Sequence, residues 1–181
     1  QVHRERHPGM VFATSYTLRL FSHYRAAREI LQNEELGKLQ RATFLSTRWY
    51  RTNAYFAEKP WRGTWAGEGG GLLLNQCIHD LDLYQWLLGR PVAVSAELAF
   101  GKYHRIEVED EATLLMKHED GLIGHFFGST AEYPGTERLE IVGEYGSIVC
   151  EDETVTVTSS PRSGLETIRE SDKPFPALTS S

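Results

Sequence analysis

Residues 67–82, GEGGGLLLNQCIHDLD, hold the densest set of groups able to do chemistry. Three consecutive glycines, Gly69, Gly70 and Gly71, let a backbone pass close to a ligand or pack tightly against a neighbour. Read as part of the helix that follows, Asn75 and His79 stand four residues apart with Asp82 three further on, so all three share one stripe. An imidazole accepts and returns a proton near neutral pH, which makes His79 the catalytic candidate. Asn75 would orient that ring or hold a substrate hydroxyl. Asp82 would polarise the imidazole from behind or cap a neighbouring loop. A buried, hydrogen-bonded core histidine is the competing reading, and the adjacent glycines and aromatic, basic loop bring the two level.

That loop adds recognition chemistry. Trp61 and Trp65 offer indole faces that stack on sugar rings, and Arg62 offers guanidinium donors for hydroxyls or carboxylates. Arg48 and Tyr50, at the end of the preceding strand, reach the same space. Each is equally readable as a surface arginine or a core aromatic. Two other chemistries are set aside. His79 with Asp80 or Asp82 offers nitrogen and oxygen ligands, but no second His or Cys stands at ligand spacing, so no metal is expected. His118 and His125 straddle a hairpin tip and read as exposed. The run GEGGGL has Leu72 where a dinucleotide fingerprint needs its third glycine, no apolar strand precedes it, and no Gly-Lys-Ser/Thr occurs, so no cofactor-binding residue is assigned in this chain.

The elements that must position these groups follow from periodicity and punctuation. Residues 1–10 read as a linker or ragged start, and 11–20 alternate weakly enough for a strand. Tyr24, Ala27, Ile30 and Leu31 predict a helix over 23–36, with Ser22 as N-cap and Gly37 as stop. A strand over 38–50 leads into the loop 51–71, too long for a mere connection in a compact domain. The helix through Asn75 and His79 ends at Gly89 and Pro91. Strands then dominate: 92–100, two within 109–133 joined at Glu119-Asp120-Gly121, and three within 137–159. After Ser159 the composition predicts an extended tail to 181. The order implies an α+β fold, a mostly antiparallel open sheet with helices packed on one face. In the hairpin, Ile123 and Phe127 point to one face while Leu122 and Phe126 point to the other. A sheet apolar on both faces calls for a second cover, and another copy of the chain is the simplest one.

Composition bounds the rest. The 181 residues suit one domain, 11–158, able to bury a core without covalent staples. A formal charge of −6 argues against a broad nucleic-acid or anionic-membrane surface. Cys77 and Cys150 read as small buried hydrophobes rather than a disulfide. No apolar run approaches the roughly 18 residues of a membrane span and no signal-peptide pattern opens the chain, so a cytoplasmic protein is expected.

The segment EGGGLLLNQCIHDLDLYQWLLG, preceded by PWRGTW and followed by a strand opening on Pro-Val, resembles the C-terminal domain of the glucose–fructose oxidoreductase / inositol dehydrogenase / rhizopine catabolism (Gfo/Idh/MocA) family, over about residues 11–158. The resemblance implies the substrate-binding and oligomerisation half of an NAD- or NADP-dependent enzyme that transfers hydride at a hydroxyl-bearing carbon of a sugar, inositol or related polyol. It implies dimers or tetramers through the open sheet face. It implies proton transfer by His79 together with a lysine of a nucleotide-binding Rossmann domain. That domain is absent here, so the chain alone should be inactive. The position of Asn75 is often Asp in that family, which favours hydrogen bonding to substrate here. Glu58-Lys59-Pro60 mimics a motif of the absent half and reads as coincidence. A non-catalytic carbohydrate-binding or dimerisation module is the alternative.

Overall fold

The computed structural model describes residues 5–6, 9–11 and 13–174. Seven strands form one sheet: β1 (Leu39–Ser46), β2 (Ala93–Phe100), β3 (Glu109–Lys117), β4 (Ile123–Ser129), β5 (Glu137–Gly143), β6 (Gly146–Glu151) and β7 (Thr154–Ser159). Their order is β2-β3-β4-β1-β5-β6-β7. Every neighbouring pair is antiparallel except β1 with β4, which run parallel at the centre. Helices α1 (Ser22–Gln32) and α3 (Ile78–Leu88) lie on one face, with the short α2 (Asn53–Ala57) between β1 and α3 in the chain and α4 (Gly164–Glu170) after β7. The mostly antiparallel α+β sheet expected from the pattern is therefore the observed fold.

Alternation along the strands builds the core. Ala42 and Phe44 of β1, Leu114 and Met116 of β3, Phe126 of β4, Leu139 and Ile141 of β5 and Ile148 and Cys150 of β6 are all buried under the helices. The opposite face carries Leu45, Leu115, Ile123, Phe127, Val142 and Val149, all half-buried. Helix α1 buries Tyr24 and Ala27 of its expected stripe, leaves Ile30 and Leu31 half-buried, and buries His23 as well. Arg28 fastens it to α3: its guanidinium lies 4.2 Å from the Trp86 ring and donates to the Trp86 carbonyl. Gly124 leaves room for Tyr84, whose hydroxyl would meet any Cβ there and which sits 3.0 Å from His118 Nε2.

Several local expectations change. Residues 13–20 form no strand; Thr17–Leu20 make a single 3-10 turn, with Arg19 drawn to Asp82 on α3. Residue 12 and most of 1–10, read as a linker, lie outside the described residues. Helix α1 starts at Ser22 with Phe21 at its N-cap and stops at Gln32, before the positive-φ residues Glu34 and Gly37. His118 is buried rather than exposed, because the turn folds it against Tyr84. Beyond Ser159 the chain is not simply extended. Ser163, fully buried, accepts the Glu166 N–H at 3.1 Å and starts α4.

Candidate active site

The polar groups of interest gather where the parallel pair ends. Ser46 closes β1 and points inward, and the chain continues through Thr47, Arg48, Trp49, Tyr50 and Arg51 across the carboxyl edge of the sheet. Such an edge beside a parallel pair leaves strand ends open for a ligand. The Arg51 N–H donates to the Thr130 carbonyl at 2.8 Å, tying this stretch to the end of β4. His104 Nε2 donates to the Arg51 carbonyl at 3.0 Å, and its Nδ1 lies 3.0 Å from Asp110 Oδ2. Burial works to raise the Asp110 pKa. The N–H groups of Tyr103, Lys102 and His104, with the His104 ring, outweigh it and hold the carboxyl below its usual range.

Helix α3 begins later than its periodicity implied, and Asn75 is not on it. Residues 72–77 are turns, clamped by Glu109 at the start of β3. Its carboxylate accepts the Gly71 N–H at 3.0 Å and the Leu73 N–H at 3.1 Å, while its carbonyl accepts the Leu72 N–H at 2.9 Å. A Cβ on Gly71 would collide with the Glu109 backbone, so the glycine permits a close strand–loop approach. The amides that could cradle a phosphate are already filled by an internal carboxylate, so this loop does not fit a dinucleotide pyrophosphate.

His79 sits in the first turn of α3, half-buried, with the Tyr16 ring edge-on at 5.9 Å. Its Nδ1 is buried without a hydrogen-bond partner among the described residues. Asn75 donates to Glu68, whose other oxygen accepts the Gly63 N–H at 2.7 Å. Asp82 does not back the imidazole. Its two oxygens take Arg19 Nε and Nη2 at 2.7 and 2.5 Å. The carboxylate packed beneath the site is Asp80, 1% exposed, which accepts from Ser46 Oγ at 2.6 Å and Trp49 Nε1 at 3.0 Å. Burial is the main cause that pushes its pKa up to about 6, against the lowering effect of those two donors. Cys77, next to Ser46, is buried and free, and burial drives its thiol far above the ordinary range.

The remaining candidates spread out. Tyr50 is exposed and pairs with Tyr133, rings 5.5 Å apart. Arg48 bonds Asp152. Arg62 lies over Tyr55 at 4.1 Å and Trp61 at 5.5 Å, and donates to Glu58 at 2.6 Å. Trp65, about half exposed, packs on Phe100 of the edge strand β2. None of Trp61, Arg62 or Trp65 contacts His79; the indole joined to that region is Trp49, through Asp80. Sequence reasoning weighed Asp80 only as a metal ligand and missed Ser46, Trp49, Glu109 and the His104–Asp110 pair.

An open sheet with one central parallel pair, helices on one side and a glycine–asparagine–histidine segment crossing its carboxyl edge defines the sheet domain of a class of oxidoreductases. The chain belongs to this family: the family model described as GFO/IDH/MocA C-terminal domain matches residues 24–149. Among solved structures, the WlbA dehydrogenase from Bordetella pertussis in complex with NADH and UDP-GlcNAcA is 25% identical, with a TM-score of 0.70 over 77% of this chain and 42% of that one. The WlbA dehydrogenase from Chromobacterium violaceum, with the same two ligands, is 25% identical at a TM-score of 0.77 over 92% of this chain and 49% of that one. Levoglucosan dehydrogenase with NADH and levoglucosan shares the fold at 19% identity and a TM-score of 0.67, over 94% of this chain and 47% of that one. The chain spans less than half the length of these relatives.

Proposed function

We propose that this chain is the substrate-binding and oligomer-forming half of an NAD- or NADP-dependent oxidoreductase acting on the alcohol carbon of a sugar, inositol or related polyol. The observation that carries the reading is His79: a half-buried imidazole at the amino end of α3 whose buried Nδ1 has no hydrogen-bond partner among the described residues. The WlbA relatives, crystallised with NADH and a nucleotide sugar, support the reaction class. When bound by a nucleotide-binding unit, a nicotinamide would supply or accept the hydride at the substrate carbon. His79 takes or returns the hydroxyl proton at Nε2. Asn75, steadied by Glu68, holds a neighbouring hydroxyl, and Tyr50 and Arg48 contact the substrate from the β1 side. Trp61 and Trp65 stand as stacking faces at the rim, with Arg62 braced between Tyr55 and Trp61. Gly69, Gly70 and Gly71 shape the wall between loop and helix, and Asp82 holds Arg19 across it.

Association through the sheet face bearing Leu45, Phe127 and Val142 is part of this reading. Two free, buried cysteines support a reducing compartment such as the cytoplasm. Among the described residues no helix is long and apolar enough to cross a membrane. The test is His79→Ala in the enzyme that carries this chain together with its nucleotide-binding unit. Turnover should fall by about two to four decades with the fold intact. Unchanged turnover rules out the proton-transfer role and leaves a binding or dimerisation module.

A further inference from the structure

The stretch from Arg48 to Trp65 carries Arg48, Arg51, Lys59 and Arg62 against the single carboxylate Glu58, in a chain whose formal charge is −6. Arg48 is neutralised by Asp152, whereas Arg51 has no carboxylate within ion-pair distance among the described residues. Aromatic rings hold it instead. Its guanidinium carbon lies 4.8 Å from the centre of the Tyr55 ring and 5.6 Å from that of Trp49. Arg62 uses the same Tyr55 ring, at 4.1 Å, together with Trp61 at 5.5 Å. Two guanidinium groups therefore share one phenol on the short helix α2. Stacking strips water from the face of each head and leaves its in-plane N–H groups to bond an acceptor.

The hydrogen bonds of the two heads follow one pattern. Nη1 of Arg51 donates to the Tyr50 carbonyl at 2.9 Å. Nη1 of Arg62 donates to the Tyr55 carbonyl at 3.0 Å and to Glu58 at 2.6 Å. In both, Nε is buried without a partner, and Nη2 has none among the described residues. Nε and Nη2 make up one edge of a guanidinium, the edge that grips two oxygens of an oxyanion by parallel N–H bonds. A buried donor short of a bond carries a desolvation cost that an acceptor on that edge removes. The backbone beneath Arg51 is pinned as well: its N–H donates to the Thr130 carbonyl and its carbonyl accepts from His104. A carboxylate, with two oxygens and one charge, satisfies one such edge. A phosphoryl group has three oxygens and nearly twice the charge, which suits a pair of edges.

We propose that Arg51 and Arg62, stacked on Tyr55, bind a phosphoryl group through their Nε–Nη2 edges. The assignment stands on the geometry of this loop. It names no substrate for His79, to which neither arginine is hydrogen-bonded.

The probes are inorganic phosphate and D-glucose 6-phosphate, titrated into this chain at about pH 7.5, where both are chiefly dianions. D-Glucose and D-glucuronate are the neutral and carboxylate controls, and NMR follows the Nε–Hε signals of Arg51 and Arg62. The expected result is saturable phosphate binding that moves both signals, with the two controls at least about tenfold weaker. Tighter binding of the sugar phosphate assigns the site to a phosphorylated sugar, and equal or weaker binding assigns it to the free ion. Arg51→Gln and Arg51→Lys should each weaken binding by about tenfold or more, since lysine keeps the charge but not the edge. Lys59→Gln, at an exposed cation outside the stack, should change it by less than about threefold. The signals of the buried core show that each variant folds. No saturation at millimolar phosphate, glucuronate binding as well as phosphate, Arg51→Lys binding like wild type, or Lys59→Gln losing as much as Arg51→Gln would each overturn the proposal. Because the readout needs neither cofactor nor turnover, failure here is separable from failure of the His79 test.

Discussion

Asp80 shows how one side chain can tie stability, position and pH together. It is enclosed beneath the sheet edge, receives Ser46 and Trp49 on one oxygen, and has its other oxygen buried with no partner. Its folded pKa, about 6, lies above the unfolded carboxylate value, so the folded state favours the protonated form. The stabilisation is therefore fully present below about pH 4 and is lost as pH rises through about 6. Asp80→Asn keeps an acceptor for both donors but cannot ionise. Relative to it, the wild type should lose on the order of 2–3 kcal/mol of unfolding free energy between about pH 4 and pH 8. Urea denaturation across that range checks this, and parallel curves for the two proteins refute it. In the enzyme reading, the same ionisation sits one residue from His79 and on the carboxylate that Trp49 Nε1 donates to.

At the scale of elements, the loop that delivers Asn75 and His79 is held by β3 rather than by its own propensity. Glu109 receives three loop amides in succession, and Gly71 lies against the Glu109 backbone with no space for a side chain. Gly71→Ala should therefore cost about 1–3 kcal/mol in thermal or chemical unfolding, as overpacking against a fixed backbone does. Gly70→Ala, whose new methyl would meet only the movable Leu74 side chain, should cost less. Equal effects would mean that the loop yields as a whole. The parallel placement of β1 beside β4 matters as much. It brings Ser46, Trp49 and Arg51 to the same edge as Ser129, Thr130 and Tyr133 from a segment about 80 residues away.

For the whole molecule the telling feature is the uncovered sheet face. Leu45, Leu115, Ile123, Phe127, Val142 and Val149 sit among Arg41, Arg138, Glu140 and Glu151, with Arg41–Glu140 and Arg138–Glu151 paired across strands. An apolar centre rimmed by paired charges suits a self-complementary interface. Phe127→Asp places an unpaired charge at its centre and should convert a dimer or larger assembly to monomer in analytical ultracentrifugation at tens of micromolar. Circular dichroism should stay unchanged, because Phe127 lies on the face away from the core. A wild type already monomeric at that concentration would remove this interface from the functional reading.

Local chemistry made much of this protein legible before any coordinates. Alternation placed six of the seven strands between turn residues such as Asp120-Gly121 and Gly143–Gly146, and the glycine–asparagine–histidine segment carried the resemblance to the family whose model matches residues 24–149. The strand over 38–50 was also legible, though it ends at Ser46, where β1 meets the sheet edge. Tertiary contacts decided the rest. Helix α3 spreads polar and apolar side chains around its whole circumference, so periodicity could not single out Asp80, Leu83 and Tyr84 as the buried stripe. Nor could it say that the helix would wait until Ile78, that Arg19 would claim Asp82 from 63 residues away, or that Tyr84 would draw in His118. Each of these outcomes depends on a hydrogen bond or ion pair between distant segments, and such partners are invisible to any pattern confined to one stretch of chain.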